Sequence, residues 1–246
     1  MMRYAKTALV LLLLVSCFSH LAEAQLPKAF DALKKLGAPS TGGTTSTSGS
    51  DIIQGLKEAL RIGTEHAVAS TGRPDGFLAN PLIKIGMPKR WQTVEKGLRL
   101  AGYGDKVDAF VTSMNRSAEQ ATPQAKSIFV DAITSMTIDD AKSLLNGGDT
   151  AATDFFKAKT TDKLYQAFRP VVDNAMNKVG TVQRYNAILG QAKGLPFVKT
   201  QSLDVGDYVT HKALDGLFLI VAQEEQKIRT NPAARVTDLL QDVFGK

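Results

Sequence analysis

The chain has 246 residues, 43% hydrophobic and 22% charged, with a formal net charge of +6 and one cysteine. That is the make-up of a soluble globular domain large enough to bury a core without disulfides. Its basic residues are interleaved with acids and form no Lys/Arg block with aromatic interleaving, which argues for a solvated mixed surface and against a nucleic-acid partner.

Residues 1–24 carry Arg3 and Lys6, an apolar run over 8–18, and the small-x-small site Ala22-Glu23-Ala24 before Gln25. This pattern predicts a secretory signal peptide. The apolar run is about 11 residues, short of the ~20 a spanning helix needs, so no transmembrane span is expected in the mature chain. The expected compartment is outside the cytosol, periplasmic or secreted, away from ATP and nucleic acid. Leu14-Val15-Ser16-Cys17 also reads as a lipobox, and Cys17 is then a lipidation site on a membrane-anchored lipoprotein. Phe18 directly after the cysteine, and the good site ending at Ala24, favour cleavage after Ala24.

Residues 25–50 form a short amphipathic segment, 25–37 (QLPKAFDALKKLG), followed by a Gly/Ser/Thr-rich linker, 38–50 (APSTGGTTSTSGS). The linker has too few apolar groups to offset the entropy of ordering it. Residues 51–246 read as one all-α domain of roughly eight to ten helices, with no sustained period-two alternation.

Asp51 is placed to cap a first helix ending near Gly72, and residues 73–88 (RPDGFLANPLIKIGMP) predict a turn-rich crossing anchored by Leu82, Ile83 and Ile85. Helices follow over 89–100, with Trp91, Val94 and Leu98 on one face, and over 105–121 and 123–135. Thr137 and Asp140 suit a capping box opening a helix that stops at Asn146-Gly147-Gly148. Asp149 or Thr150 then caps a helix carrying Phe155 and Phe156, and residues 160–179 form another that Pro170 starts or kinks. Segments 181–193, 204–229 and 232–244 complete the set, the last capped by Asn231. The apolar run 217–222 covers every helix face, which predicts a central helix surrounded on all sides.

Three polar constellations merit weighing. Asn115, Arg116 and Glu119 share a helix, with Asp131 on the next. Such a set can hold an anion or act as acid and base, or it can be a structural ion pair locking helices in register. Asp207, His211 and Asp215 fall at i, i+4 and i+8, one stripe of a helix that by itself cannot wrap a metal. Glu224, Glu225, Arg229 and Arg235 bracket the last turn and suit a charged clasp. Asn115-Arg116-Ser117 matches a glycosylation sequon, but its mid-helix position reads as coincidence. No GxSxG, Walker A, HExxH, CxxC or dinucleotide fingerprint is present, and neither a cofactor nor a metal is expected.

The stretches GLKEALRIGTEHAV, DGFLANPLIKIGMP, MNRSAEQATPQAKSIFVDAI, GGDTAATDFF and YVTHKALDGLFLIVAQEEQKIRTNPAARVTDLLQDVFG run collinearly through 51–245. On these the chain resembles the bacterial domain of unknown function family 4197. The resemblance implies an exported helical protein and supplies no mechanism. With export, a helical body and no catalytic signature, the expected function is a non-enzymatic binding or interaction module for a hydrophobic ligand, a lipid or another envelope protein. The alternative is a hydrolase or lyase working through the Arg/Glu/Asp cluster in a helical cleft.

Overall fold

The computed structural model describes residues 49–178 and 204–230, all within the unit Thr47–Lys246. The signal peptide, Cys17, the amphipathic segment, the linker as far as residue 48, the segments 181–193 and 232–244, Asn231 and Arg235 lie outside the described residues.

Helix α1 spans Gly49–Gly72 and buries a stripe at helical spacing that includes Leu56, Ala59, Leu60, Ala67 and Val68. It starts two residues before the expected Asp51 cap, so Gly49 and Ser50 belong to the helix rather than to the linker. Asp51 then sits in the first turn, where its charge opposes the positive end of the helix dipole. The helix ends at Gly72, ahead of Pro74, which cannot continue the ladder.

The crossing 73–88 contains no helix or strand, and it buries Phe77, Ile83, Ile85 and Met87. Leu82, expected among its anchors, is instead 65% exposed. The cause is local. Asn80 Oδ1 accepts the Leu82 amide at 3.1 Å, and the Asn80 carbonyl accepts the Ile83 and Lys84 amides at 3.2 and 2.8 Å. That single tight turn swings Leu82 outward as it sends Ile83 inward.

A 3-10 turn, Lys89–Trp91, leads into α2, Gln92–Leu100. Gly102, at φ +85°, reverses the chain into α3, Gly104–Ala121. Pro123 lies in a second 3-10 turn, Thr122–Gln124, ahead of α4, Ala125–Thr134. The capping box of α5, Ile138–Leu145, forms as expected, with the Asp140 amide donating to Thr137 Oγ1 at 3.1 Å and the Thr137 amide to Asp140 Oδ2 at 3.0 Å.

The largest departure from the sequence pattern is α6. One continuous helix, Ala151–Lys178, replaces the two expected helices and contains Pro170 in its interior. Pro170 and Gln166, the residue whose carbonyl it leaves unpaired, are both exposed, so water can serve that carbonyl. Leu164, Phe168, Val172 and Met176, four apart, are all buried and hold the helix continuous across the proline. Helix α7, Val205–Thr230, closes the described fold.

The described residues therefore form seven α-helices and two 3-10 turns with no strand. The fold is all-α, and the expected count of eight to ten is not reached within them. Helix α7 packs on α6 and α1, and α3 packs on α6. At their centre Phe129 meets Phe156 and Phe218 edge-on, with ring centroids 5.1 and 6.3 Å apart. Burying each such ring contributes about 1.5–3 kcal/mol. Leu217, Phe218, Ile220 and Val221 of α7 are buried, but Leu219 is half-exposed, so this helix is not surrounded on every face. Among the described residues no helix is long and apolar enough to cross a membrane.

Candidate functional site

Helix α3 turns Phe110, Met114, Ala118 and Ala121 into the core, and Asn115 and Glu119 are buried on the same helix. Two buried polar side chains on such a helix need partners, and both find them in the crossing. Asn115 Oδ1 accepts the Ile85 amide at 2.8 Å, while its Nδ2 donates to the Ile85 carbonyl at 2.9 Å and to the Val111 carbonyl at 2.7 Å. The side-chain amide thus pairs with both backbone groups of Ile85, in a stretch that has no helix or strand partner of its own.

Glu119 does the same one helical turn on. Its Oε1 accepts the amides of Phe77 and Leu78, each at 3.1 Å, and its Oε2 accepts Arg116 Nη1 at 2.7 Å. The other arm of Arg116 reaches Asp75 Oδ1 at 2.7 Å. Asp75 has φ +66°, a left-handed conformation that costs a non-glycine residue about 1 kcal/mol. The Glu119 hydrogen bond foremost, and then Asp75, push the Arg116 guanidinium above its ordinary value.

Two glycines let the crossing come this close. A Cβ on Gly76 would lie 2.5 Å from the Ser70 and Thr71 carbonyl oxygens, against the end of α1. A Cβ on Gly216 of α7 would lie 2.7 Å from Phe77 Cε1 and 3.1 Å from Ile83 Cβ. Tyr208 of α7 adds a last tie, its hydroxyl donating to the Gly86 carbonyl at 3.0 Å. Burial raises the Tyr208 phenol above its ordinary value, so it stays protonated as a donor.

Of the four residues grouped from sequence, Asn115, Arg116 and Glu119 act together. Asp131 is exposed on α4, and among the described residues it shares no hydrogen bond or ion pair with them. Asp75, which sequence reasoning missed, is the second carboxylate of the set. The cluster fixes a loop rather than setting two helices in register.

In the second constellation Asp207 Oδ1 accepts Tyr165 OH at 2.7 Å and lies 3.2 Å from His211 Nδ1. The Tyr165 and His211 rings are 5.0 Å apart. Asp215 stands apart and pairs with Lys212 at 2.8 Å. The organising residue is Arg169, missed from sequence, which donates to Asp173 at 2.7 Å and to both oxygens of Asp204 at 2.9 and 2.8 Å. The Asp207 hydrogen bond raises the Tyr165 phenol, whereas the Asp207 backbone amide, then Arg169, hold Asp204 below its ordinary value. Among the described residues no group of three or more His, Cys, Asp or Glu is arranged to hold a metal.

The third constellation is a clasp with a role the spacing does not reveal. Buried Glu225 accepts the Ala152 amide at 3.0 Å and the Thr153 amide and hydroxyl at 2.9 and 2.8 Å. A carboxylate from α7 therefore serves the unpaired donors at the start of α6. Arg229 joins Glu225 at 3.1 Å and the Leu144 carbonyl, at the end of α5, at 3.0 Å. Glu224 stays outside this set, 2.6 Å from Lys227 and 3.6 Å from His66.

Open depressions lie along these elements. One of about 320 Å³ includes Arg73, Asp75, Asn80 and Pro81 at the rim of the crossing. Another, of about 250 Å³, runs between α3 and α6 past Ser113, Arg116 and Ala175.

No curated protein and no solved structure matches this chain. Residues 46–245 match the family described as protein of unknown function (DUF4197), and over that length the chain belongs to this family.

Proposed function

We propose that the protein is an exported, non-enzymatic binding module of the bacterial envelope, and that the crossing 73–88 is its working face. The observation that carries this reading is the clamp. Two buried side chains of α3, Asn115 and Glu119, make four hydrogen bonds to the backbone of a stretch that has no helix or strand of its own. Desolvating a carboxylate and an amide costs free energy that an all-apolar α3 face would avoid. What that cost secures is a fixed backbone with exposed side chains at its turn. A rigid loop presented by a helical scaffold suits recognition, because little ordering entropy remains to oppose binding.

The hydrolase or lyase alternative draws less support. Both oxygens of Glu119 are already taken by three donors, and an acid–base carboxylate needs a free lone pair facing its substrate. Export rests on the pattern of residues 1–24, with Cys17 lipidation as the anchored variant.

The test is native mass spectrometry of the protein purified from an envelope fraction of its expression host. A bound lipid or envelope protein is expected. A bare monomer that also takes up nothing from lipid or envelope extracts contradicts the reading. Mass measurement of the mature N-terminus, expected to begin at Gln25, checks export in the same sample.

A further inference from the structure

The chain's positive charge is not spread evenly. Between residues 73 and 100 stand Arg73, Lys84, Lys89, Arg90, Lys96 and Arg99 against only Asp75 and Glu95, a net +4 out of +6 for the whole chain. Both acids are committed. Asp75 is paired with Arg116, and Glu95 with Arg99 at 3.0 Å. Residues 73–100 are therefore richer in positive charge than the rest of the chain.

Geometry joins the crossing to the far end of α2. Arg99 pairs with Asp108 of α3 at 2.7 Å. Arg99 foremost, with Lys84 adding its field, holds the Asp108 carboxyl below its ordinary value, so Lys84 and Arg99 converge on one aspartate. The two most exposed large apolar side chains of the described residues flank this meeting point in the chain. Leu82, two residues before Lys84, is 65% exposed, and Leu100, directly after Arg99, is 90% exposed. Both project, one from a tight turn and the other from a helix end.

From this we infer that the face formed by residues 73–100 docks on an anionic phospholipid surface, its basic residues on the headgroups and Leu82 and Leu100 entering the acyl boundary. Charge complementarity sets the sign of the partner. Projecting leucines among lysines and arginines fit an interfacial membrane contact, with the apolar side chains at the acyl boundary and the cations at the headgroups. The rigid clamp of the crossing serves this contact because Leu82 needs no ordering before it inserts. This inference rests on the binding-module reading and deepens it by naming the partner.

The experiment is co-sedimentation of the protein, with its own N-terminus in every sample, on vesicles of phosphatidylcholine alone or with 30% phosphatidylglycerol. Lys89 and Arg90 are exposed, and their side chains make no hydrogen bond or ion pair among the described residues, so Lys89→Glu with Arg90→Glu leaves the fold intact. The wild type is expected to prefer the anionic vesicles. The double reversal should lower that binding about tenfold or more, as should Leu82→Ser with Leu100→Ser. Lys157→Glu with Lys163→Glu, an equal charge change on exposed positions of α6, should leave binding near the wild-type level. Equal losses from the two charge reversals would show that only net charge matters and overturn the assignment. A wild type with no preference for anionic vesicles overturns it too. In that case a co-purifying envelope protein in the native mass spectrum still leaves the binding-module reading standing, so the two failures are distinguishable.

Discussion

One oxygen of Glu119, Oε1, accepts the backbone amides of both Phe77 and Leu78 at 3.1 Å, across 42 and 41 residues of sequence. A single carboxylate therefore holds the Phe77–Leu78 end of the crossing to α3, as Asn115 holds Ile85. Glu119→Ala leaves the buried Phe77 amide without an acceptor and Arg116 without its inner partner, so it should cost about 3 kcal/mol. Glu119→Gln keeps one oxygen and should cost about half that. Urea unfolding monitored at Trp91 reads both.

Gly216 is where α7 makes room for the Phe77 ring. Gly216→Ala places a methyl 2.7 Å from Phe77 Cε1. Alanine favours the helix by up to about 1 kcal/mol, but overpacking costs about 1–3 kcal/mol, so a net loss is expected. Combined with Phe77→Leu, the alanine should be tolerated far better. Thermal unfolding of the two single variants and the double variant measures that coupling.

Glu225 and Arg229 act as one unit across three helix ends. Glu225→Ala should destabilise by about 3 kcal/mol, since it strips the α6 start of its acceptor and leaves Arg229 half-buried without its carboxylate. Glu225→Gln should cost about 1 kcal/mol. Chemical denaturation at constant pH distinguishes them. Equal losses would show that charge, rather than acceptor capacity, dominates.

Asp140 carries a sign that can be checked against pH. The Thr137 hydroxyl, then the Thr137 amide, hold its carboxyl below the ordinary aspartate value. Its stabilisation is complete above the ordinary value and is lost as pH falls through the lowered one. Thr137→Ala should therefore lower the melting temperature at neutral pH. That difference should shrink as the pH drops below the aspartate range.

The elements were most legible where local chemistry decides them. Gly72 with Pro74 ends α1, and Thr137 with Asp140 opens α5, because both signals act within a few residues. Pro170 misled, because its cost of about 3 kcal/mol is local while the compensating burial of Leu164, Phe168, Val172 and Met176 is tertiary. Leu82 misled for the opposite reason. It looked like an anchor in an apolar run, and the Asn80 side chain turned it outward. The polar clusters were half legible. Asn115 and Glu119 stood out as polar residues on a helix that also carries Phe110, Met114 and Ala118, which signals partners without naming them. Those partners are backbone amides some 30 to 40 residues away, and every residue carries that donor alike. Of the Arg169 partners, Asp173 lies at i+4 on the same helix and was legible from spacing, whereas Asp204 reaches it only when α6 and α7 pack.

The central claim is that buried side chains of α3 hold the crossing rigid while its turn stays exposed. Amide hydrogen exchange resolved at Phe77, Leu78 and Ile85 tests it most directly. The account predicts that these three amides exchange as slowly as those at the centre of α3, and that Glu119→Ala speeds the first two while leaving α3 protected. Exchange in the wild type as fast as that of an exposed turn, at all three positions, would contradict it.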